Sequence, residues 1–555
     1  MRTWRRSTAL LGLQSATGPT LVNDGRSRGI ADRHGESGRG RGQPLTDPRP
    51  DRCSVIGTSI GHPERTAVIL IVAMSLAGSS AGAVIPPGSS SLAGADVKLI
   101  GEPTGQTGFH VAPAGDLDAD GFEDILVGAF QDPTNGPAAG AAYILYGPVT
   151  PGPMNLEQDA DAKLLGELTG DFAAEGFAGV GDMDGDGFDD FVIGAPGRFP
   201  PSQPGAPAPG AAYLFYGGGE RLSGTMSLAR ADAKLVGESN VDFAGLAVAS
   251  ASDLDGDGRE DLVVSAPRDP QEGPASGAVY ILYGTRKRLS GTMSLADADA
   301  KLLGRKGDLA GFRLDRAGDL DGDGSEDLVI GAPASVGFGG SGDPATYILY
   351  GTTKRLKRTI ELPDVAARLE GEDPDDRPGF GMAGAGDLDG DGVDDLVVGA
   401  DLEDTGGTNA GAIYVFYGRK AHLTDTVSLG TADAKLTGEV AGDRAGFDVS
   451  IAGDLDGDGF DELVVGAFGH DAAATDAGAV YVFFGDETRL SGVVALSTAP
   501  TKLLGEAAGD FAGFAVGQAG DVNDDESDDL MVGAMSADAG GTNSGTVYIP
   551  FGASR

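Results

Sequence analysis

One short acidic pattern recurs seven times along this chain at a nearly constant spacing. In its clearest copy, Asp454-Leu-Asp-Gly-Asp-Gly-Phe-Asp-Glu462, acids occupy positions 1, 3, 5 and 9, and glycine occupies position 6. A short apolar run, Leu463-Val-Val-Gly-Ala467, follows at once. The other copies begin at Asp116, Asp182, Asp253, Asp319, Asp387 and Asp521, 66 to 71 residues apart. Such a period indicates one structural unit repeated along the chain.

Alternate carboxylates on a tight turn are the donors that Ca²⁺ prefers, because this hard cation binds six to eight oxygens at about 2.3–2.6 Å. The glycine at position 6 permits the positive φ that the turn needs, and position 7 would offer its backbone carbonyl. EF-hand loops start in the same way but close with a glutamate at position 12 and lie between helices. Position 12 here is Val465, inside the apolar run, so Glu462 is predicted to close the loop.

The sequence therefore predicts up to seven Ca²⁺ sites, each with four side chains and one backbone carbonyl. The predicted ligands, loop by loop, are Asp116, Asp118, Asp120, Phe122, Asp124; Asp182, Asp184, Asp186, Phe188, Asp190; Asp253, Asp255, Asp257, Arg259, Asp261; Asp319, Asp321, Asp323, Ser325, Asp327; Asp387, Asp389, Asp391, Val393, Asp395; Asp454, Asp456, Asp458, Phe460, Glu462; and Asp521, Asn523, Asp525, Ser527, Asp529. The alternative is that these are only acidic β-turns, since Asp and Gly favour turns.

The seventh loop is predicted to be the weakest site. Asn523 removes a charge, and Glu526 replaces the glycine of position 6. A positive φ at a residue with a Cβ costs about 1–2 kcal/mol.

Each repeat also contains four short strand candidates in a fixed order, which predicts a β-propeller blade. The first is Lys98-Leu-Ile-Gly-Glu102 and its copies, and the second follows a Gly-Phe pair such as Gly446-Phe447. The third is the apolar run after the acidic loop, which ends in Gly-Ala-Pro or a variant, as at Gly194-Ala-Pro196. The fourth contains Gly-Ala-x-Tyr and ends in glycine, as from Gly478 to Gly485.

These motifs resemble the FG-GAP repeat family, whose best-known member is the head of the integrin α subunit. The resemblance covers roughly residues 98–552 and implies an all-β fold, a seven-bladed propeller of four-stranded blades with calcium loops of this pattern. The chain enters the repeats at Lys98 and leaves after Gly545–Gly552, so the last blade lacks one strand. The N-terminal strand is expected to supply it and to close the ring, which leaves no open sheet edge.

The segments before the repeats have a different composition. Residues 1–62, rich in Arg, Gly and Pro, are predicted to be a disordered leader or the product of a start site placed too early. Residues 63–83 are predicted to be a signal peptide, with Arg65, an apolar run and an Ala81-Gly-Ala83 cleavage site. The run is too short to span a membrane. Residues 84–97 are interpreted as a linker, and residues 98–555 as the propeller.

The net charge and the predicted calcium sites restrict the ligands and the location of this protein. The net charge of −44 argues against nucleic acid, whose binding needs a basic surface. Calcium modules of low affinity work where the ion is near millimolar, outside the cell. We therefore expect a secreted or cell-surface protein with no transmembrane anchor after signal cleavage, and a monomeric ring.

Recognition is predicted on the face opposite the calcium loops, because the loops there vary. Segment 197–209 is Pro-rich, 334–345 Gly-rich and 401–410 acidic and polar. The resemblance implies an adhesion or recognition module for an extracellular protein or glycan, and not an enzyme. Two alternatives stay open, because fold alone excludes neither. A lectin would need aromatic side chains on these loops, such as Phe199 or Phe338, and a polysaccharide-degrading propeller would need a catalytic group, such as His110, His422 or His470.

Overall fold

The computed structural model describes residue 85 and residues 87–197, 209–334 and 339–552. The predicted leader and signal peptide lie outside these residues, as do 198–208 and 335–338 of two predicted variable loops. The described part contains seven sheets that form a seven-bladed propeller, which confirms the predicted all-β propeller. The prediction of four-stranded blades was wrong, because each sheet has a fifth strand, contributed by a segment of another repeat. Blades 1 to 7 are numbered below by the acidic loop that each contains.

Within each blade the first four strands are antiparallel, and the fifth lies parallel to the fourth. The first strands, from blade 1 to blade 7, are Val111–Gly115, Phe177–Gly181, Val248–Ser250, Arg313–Gly318, Met382–Ala383, Val449–Ile451 and Ala512–Gly520. The second strands are Asp124–Ala129, Asp190–Ala195, Leu262–Ala266, Asp327–Ala332, Leu396–Ala400, Leu463–Ala467 and Asp529–Ala534. The third strands are Ala141–Leu145, Ala211–Phe215, Ala278–Leu282, Ala345–Leu349, Ala412–Phe416, Ala479–Phe483 and Thr546–Ile549.

The two outer strands of each blade come from different repeats. The fourth strands are Ala162–Leu165, Ala233–Val236, Ala300–Leu303, Ala367–Glu370, Ala434–Thr437, Thr501–Leu504 and Val97–Ile100. The fifth strands are Gly224–Ser227, Gly291–Ser294, Arg358–Glu361, Thr426–Ser428, Gly492–Ala495, Gly88–Ser91 and Gly152–Asn155. Each fifth strand belongs to the segment just before the fourth strand of the next blade, so every blade is joined to its neighbour by an exchanged strand.

A single helical turn follows each fifth strand and buries one leucine. These turns are Leu92–Gly94, Leu156–Asp159, Leu228–Arg230, Leu295–Asp297, Leu362–Asp364, Leu429–Thr431 and Leu496–Thr498. In five of them a Ser or Asn at the N-cap accepts a backbone N–H, as Ser227 does from Ala229. Capping of this kind satisfies one backbone donor of the first turn.

The N-terminal strands close the ring, as predicted. Val97–Ile100 pairs with Thr546–Ile549 as the fourth strand of blade 7. Gly88–Ser91, in the segment interpreted as a linker, forms the fifth strand of blade 6 by pairing with Thr501–Leu504. The side chains of Val97 and Leu99 are fully buried in the core between blades 7 and 1.

The glycines of the repeat motifs mark where neighbouring blades touch. A Cβ added at Gly194, in the Gly-Ala-Pro motif of blade 2, would lie 2.0 Å from the carbonyl oxygen of Gly245 in blade 3. Gly466 and Gly513 make the equivalent approach, at 2.1 Å, between blades 6 and 7. Gly245 and Gly513 also have positive φ values, near +80°. Only a residue without a side chain fits such backbone-to-backbone contacts.

The Lys-Leu-x-Gly-Glu motif forms ion pairs between adjacent blades. The lysine ammonium of one blade lies over the buried third-strand tyrosine of that blade, as Lys163 lies over Tyr143 at 5.2 Å. The same ammonium meets the glutamate of the preceding copy of the motif. These pairs are Lys98–Glu506, Lys163–Glu102, Lys234–Glu167, Lys301–Glu238, Lys435–Glu372 and Lys502–Glu439. The motif therefore fixes the contact between blades as well as the strand itself.

Candidate metal centres

The structure places each predicted calcium loop between the first and second strands of its blade, so all seven lie on one face of the ring. In loop 1 the carboxylate of Asp116, position 1, accepts the backbone N–H of Asp120 at 3.0 Å and of Gly121 at 2.9 Å. Loop 6 repeats this arrangement with Asp454, at 3.0 and 2.8 Å. These bonds wind the backbone around the first carboxylate and bring positions 3 and 5 to the same side.

The acid at position 9 is the first residue of the second strand or the residue just before it, and it is buried under the loop. In loop 1, Asp124 accepts N–H bonds from Leu117 at 2.9 Å and from Gly147 at 2.8 Å. Burial is the main cause that raises the pKa of Asp124 to about 7, and it raises the pKa of Glu462 to about 9. It raises the pKa of Asp190, Asp261, Asp327, Asp395 and Asp529 to about 8. A buried carboxylate is costly unless it is paired or coordinates a metal.

Carboxylate oxygens converge in the loops. In loop 6 one oxygen from each of Asp454, Asp456, Asp458 and Glu462 lies within 4.8 Å of the others. Oxygens of three acids converge equally closely in loops 1 to 4, namely Asp116, Asp118 and Asp124; Asp182, Asp184 and Asp186; Asp253, Asp255 and Asp261; and Asp319, Asp321 and Asp323. The described side chains offer no hydrogen-bond donor to three buried oxygens of the loops, on Asp184, Asp261 and Glu462. An oxygen-only donor set with orphaned buried oxygens fits a hard divalent cation.

Loop 7 has the two features for which the sequence analysis predicted the weakest site. Glu526 has φ +69°, the conformation that glycine has in the other loops. The side-chain amide of Asn523 donates to both carboxylate oxygens of Asp529 at 3.2 Å, so it presents a donor where the other loops present a carboxylate. Two features of the chain therefore set loop 7 apart.

Sequence reasoning missed the acid at position 8, which is present in all seven loops. In four loops it is an aspartate that accepts the N–H of position 1 in the preceding loop. Asp189 binds Asp116 N at 2.9 Å, and Asp461 binds Asp387 N at 2.7 Å; Asp394 and Asp528 repeat the bond. Burial raises the pKa of Asp189 and Asp461. The repeated acidic pair at positions 8 and 9 was the available signal.

Sequence reasoning also missed basic side chains that reach the loops from the next repeat. Arg221 pairs with both Asp118 and Asp120 of loop 1. Arg288, Arg355 and Arg489 do the same at positions 3 and 5 of loops 2, 3 and 5, and His422 pairs with Asp321 of loop 4. The signal in the sequence was the tetrapeptide Arg-Leu-Ser-Gly, which begins at Arg221, Arg288 and Arg489.

The opposite face is more regular than predicted. Segment 401–410 was predicted to be a variable loop, yet Gly411 N bonds Glu403 O at 2.9 Å, as Gly140 N bonds Asp132 O at 3.0 Å in blade 1. Blades 3, 6 and 7 have the same bond, so these five loops share one turn and differ only in side chains. Among the loops between second and third strands, those of blades 2 and 4 differ in length from the other five, and their Phe199 and Phe338 lie outside the described residues.

The three histidines of the repeats lie at separate places. His110 Nε2 lies 3.1 Å from Phe177 O in the centre of the ring, and burial lowers its pKa to about 4. His422 lies at loop 4, and His470 is buried with Nδ1 3.1 Å from Asp443. Among the described residues, no helix combines the length and the apolar character needed to cross a membrane.

This chain is similar to one protein family and to several curated proteins. The FG-GAP repeat family matches residues 177–215, 244–282, 316–348, 383–416 and 445–483, in blades 2 to 6. Integrin alpha pat-2 of Caenorhabditis briggsae is 30% identical over 233 residues, which are 41% of this chain and 18% of that protein. Integrin alpha-4 of Xenopus laevis is 29% identical over 222 residues, 38% of this chain and 18% of that protein.

A third relative bears the name of an enzyme. Phosphatidylinositol-glycan-specific phospholipase D of Rattus norvegicus is 33% identical over 207 residues, 35% of this chain and 23% of that protein. The chain therefore matches about a fifth of the length of these curated relatives.

Proposed function

Because this chain contains FG-GAP repeats and is similar to integrin alpha subunits, we propose that it is a secreted, calcium-binding propeller that acts as an adhesion or recognition module. The observation that carries the calcium part is Glu462, which is fully buried at the base of loop 6 with an orphaned oxygen beside three other acids. Seven such loops would hold up to seven Ca²⁺ ions, with loop 7 the weakest. The acids of positions 1, 3, 5 and 9 and the carbonyl of position 7 would bind each ion.

The proposed ligand surface is the face opposite the calcium loops. On the face of the calcium loops, position 8 of loops 2, 5, 6 and 7 binds the backbone of the preceding loop, so these side chains are committed to the ring. On the other face, one turn carries different side chains in five blades, and the sequences of blades 2 and 4 differ in length as well. An extracellular protein or a glycan is the proposed ligand, bound by a single ring.

The test is a binding screen of the full purified chain against extracellular-matrix proteins and polysaccharides, each with Ca²⁺ and with EGTA. We expect saturable binding to one class that is lost in EGTA, and a higher melting temperature with Ca²⁺. Each site held at 100 times its Kd would add about 2.7 kcal/mol of stability. A melting temperature independent of calcium would contradict the proposed calcium binding. A protein that calcium stabilises but that binds no matrix protein or polysaccharide would contradict the proposed adhesion.

Secretion is tested separately by N-terminal sequencing of the protein recovered from the medium. Cleavage after Ala83 would leave Val84 as the first residue. A chain that stays inside the cell with residue 1 intact would contradict the proposed location.

A further inference from the structure

The basic side chains at the calcium loops occupy one structurally equivalent position. It lies three residues before the fifth strand of each blade, as the pairing of fourth and fifth strands defines it. In blade order the residues at this position are Arg221, Arg288, Arg355, His422, Arg489, Ile85 and Val149. Four blades therefore have arginine, one has histidine and two have an aliphatic residue.

Each arginine is positioned by the tyrosine that directly follows the third strand. The guanidinium of Arg221 lies over the ring of Tyr146 at 4.7 Å, and Arg489 lies over Tyr417 at 4.8 Å. Arg288 and Arg355 stack on Tyr216 and Tyr283 in the same way. The hydroxyl of Tyr146 accepts the N–H of Leu222, the residue after the arginine, at 2.9 Å. The tyrosine thus fixes both the backbone and the head of the arginine.

The aromatic residue changes together with the basic one. Blades 6 and 7 have Phe484 and Phe551 where the other blades have tyrosine. Val149 and Phe551 lie in one apolar cluster, and Ile85 packs in a cluster that Phe484 also contacts. The two arrangements are therefore distinct: a cation held on tyrosine, or an apolar pair.

The arginines bind the same oxygens that an ion would use. In loop 1 one oxygen of Asp118 and one of Asp120 accept backbone N–H bonds, and the second oxygen of each faces Arg221. Calcium must therefore displace the guanidinium or bind beside it. If calcium displaces the guanidinium, the ion pair between arginine and carboxylate is lost. If calcium binds beside it, the two positive charges repel each other. Calcium affinity is lower in both cases. Repulsion between charges of +1 and +2 at about 6 Å, screened as in water, corresponds to about a tenfold loss of affinity.

We propose, resting on the calcium function proposed above, that Arg221, Arg288, Arg355 and Arg489 are built-in counter-ions that set the calcium affinity of loops 1, 2, 3 and 5. Without metal each guanidinium offsets the repulsion of its loop and keeps the loop folded. With metal the arginine and the ion compete for the carboxylates of positions 3 and 5. These blades thus trade calcium affinity for stability at low calcium.

The experiment compares the full wild-type chain with the fourfold variant Arg221→Leu, Arg288→Leu, Arg355→Leu, Arg489→Leu. The single variant Arg221→Leu serves if the fourfold variant does not fold. The matched control for the single variant Arg221→Leu is Arg230→Leu, which removes one positive charge from an exposed side chain on the same segment. Calcium binding is measured by competition with a chromophoric chelator, and melting temperature is measured in EGTA and in Ca²⁺.

We expect the variant to melt below wild type in EGTA, to bind calcium about tenfold more tightly at the altered loops, and to gain more from calcium than wild type does. The control should show none of these changes. A purely structural role would lower the melting temperature equally with and without calcium and leave affinity unchanged, and that result would overturn the inference. Absence of calcium binding to wild type and variants alike would instead overturn the proposed calcium function, and the inference with it.

Discussion

The loops on the two faces of this ring contact the neighbouring blades in different ways. On the acidic face, loops 2, 5, 6 and 7 each bind the preceding loop through the acid at position 8, as Asp189 does by accepting the N–H of Asp116. The glycine before that loop, Gly115, has no room for a side chain, since a Cβ there would lie 2.3 Å from Asp189. A change in such a loop disturbs two blades, so its pattern is repeated almost without variation along the chain.

On the opposite face the blades are joined by backbone bridges and by the ion pairs of the Lys-Leu-x-Gly-Glu motif, such as Lys163–Glu102. Gly140 forms a bridge with Ala173 of the next blade, and Gly411 forms one with Ala445. Side chains between these points, such as Thr134 and Thr408, are exposed. Both faces therefore join blades through side chains, but on the opposite face exposed turn residues such as Thr408 lie outside these contacts and are available for binding.

Removing the N-terminal strands that close the ring should lower stability most. Deleting residues 87–100 removes two strands and the buried side chains of Val97 and Leu99. Burial of each such side chain contributes about 1.5–3 kcal/mol, and an edge of blade 7 is left open. We expect loss of cooperative unfolding, or a melting temperature lower by more than 10 °C on the scale of about 2–4 °C per kcal/mol. Calorimetry measures both quantities.

A milder variant keeps that test decisive if the deletion fails to fold. Leu99→Ala should cost about 2–5 kcal/mol, whereas Ser89→Ala, at an exposed position of the fifth strand, should change stability by less than about 0.5 kcal/mol. Equal stability of the Leu99 variant and wild type would show that the N-terminal strand does not close the ring in solution.

A smaller effect is expected at position 8 of the acidic loops. Asp189→Ala leaves the half-buried N–H of Asp116 without its acceptor. A fully buried donor without a partner costs about 1–3 kcal/mol, so we expect a loss of about 1 kcal/mol here. Glu123→Ala is the matched control, because Glu123 occupies position 8 of loop 1 without an equivalent bond among the described residues. Urea denaturation in EGTA, which separates this contact from metal binding, should show the loss for Asp189 only. Similar losses for both variants would mean that the contact between loops does not stabilise the ring.

The sequence predicted the blades and the closing strand, because those features are local and repeat within each unit. It also singled out the acids at positions 1, 3, 5 and 9, whose role as calcium ligands stays a prediction. It did not predict the fifth strand or the arginines, because their partners lie in another repeat. Arg221 and Asp118 are 103 residues apart, and only the exchange of strands between blades brings them together. The acid at position 8 escaped notice for a related reason: beside position 9 it resembles a solvated turn residue, and its acceptor role depends on the neighbouring blade.

Replacing a turn of blade 5 on the opposite face by the equivalent turn of blade 1 should change stability least. Residues 404–409 of blade 5 can be replaced by Pro-Thr-Gly-Gly-Pro-Ala, the sequence of residues 133–138 in blade 1 with Gly406 retained, because a Cβ at that position would lie 2.1 Å from Gly438 O. The turns match, since Gly136 and Gly407 have φ +122° and +136°, and Ala138 and Asn409 have φ +50° and +54°. We expect a stability change of less than about 1 kcal/mol, because surface substitutions away from buried contacts rarely cost more. The matched change on the acidic face, Asp387→Asn with Asp389→Asn, should abolish the calcium response of loop 5. A blade 5 exchange that unfolds the ring would show that the opposite face is as constrained as the acidic one, and the division of roles between the two faces would fail.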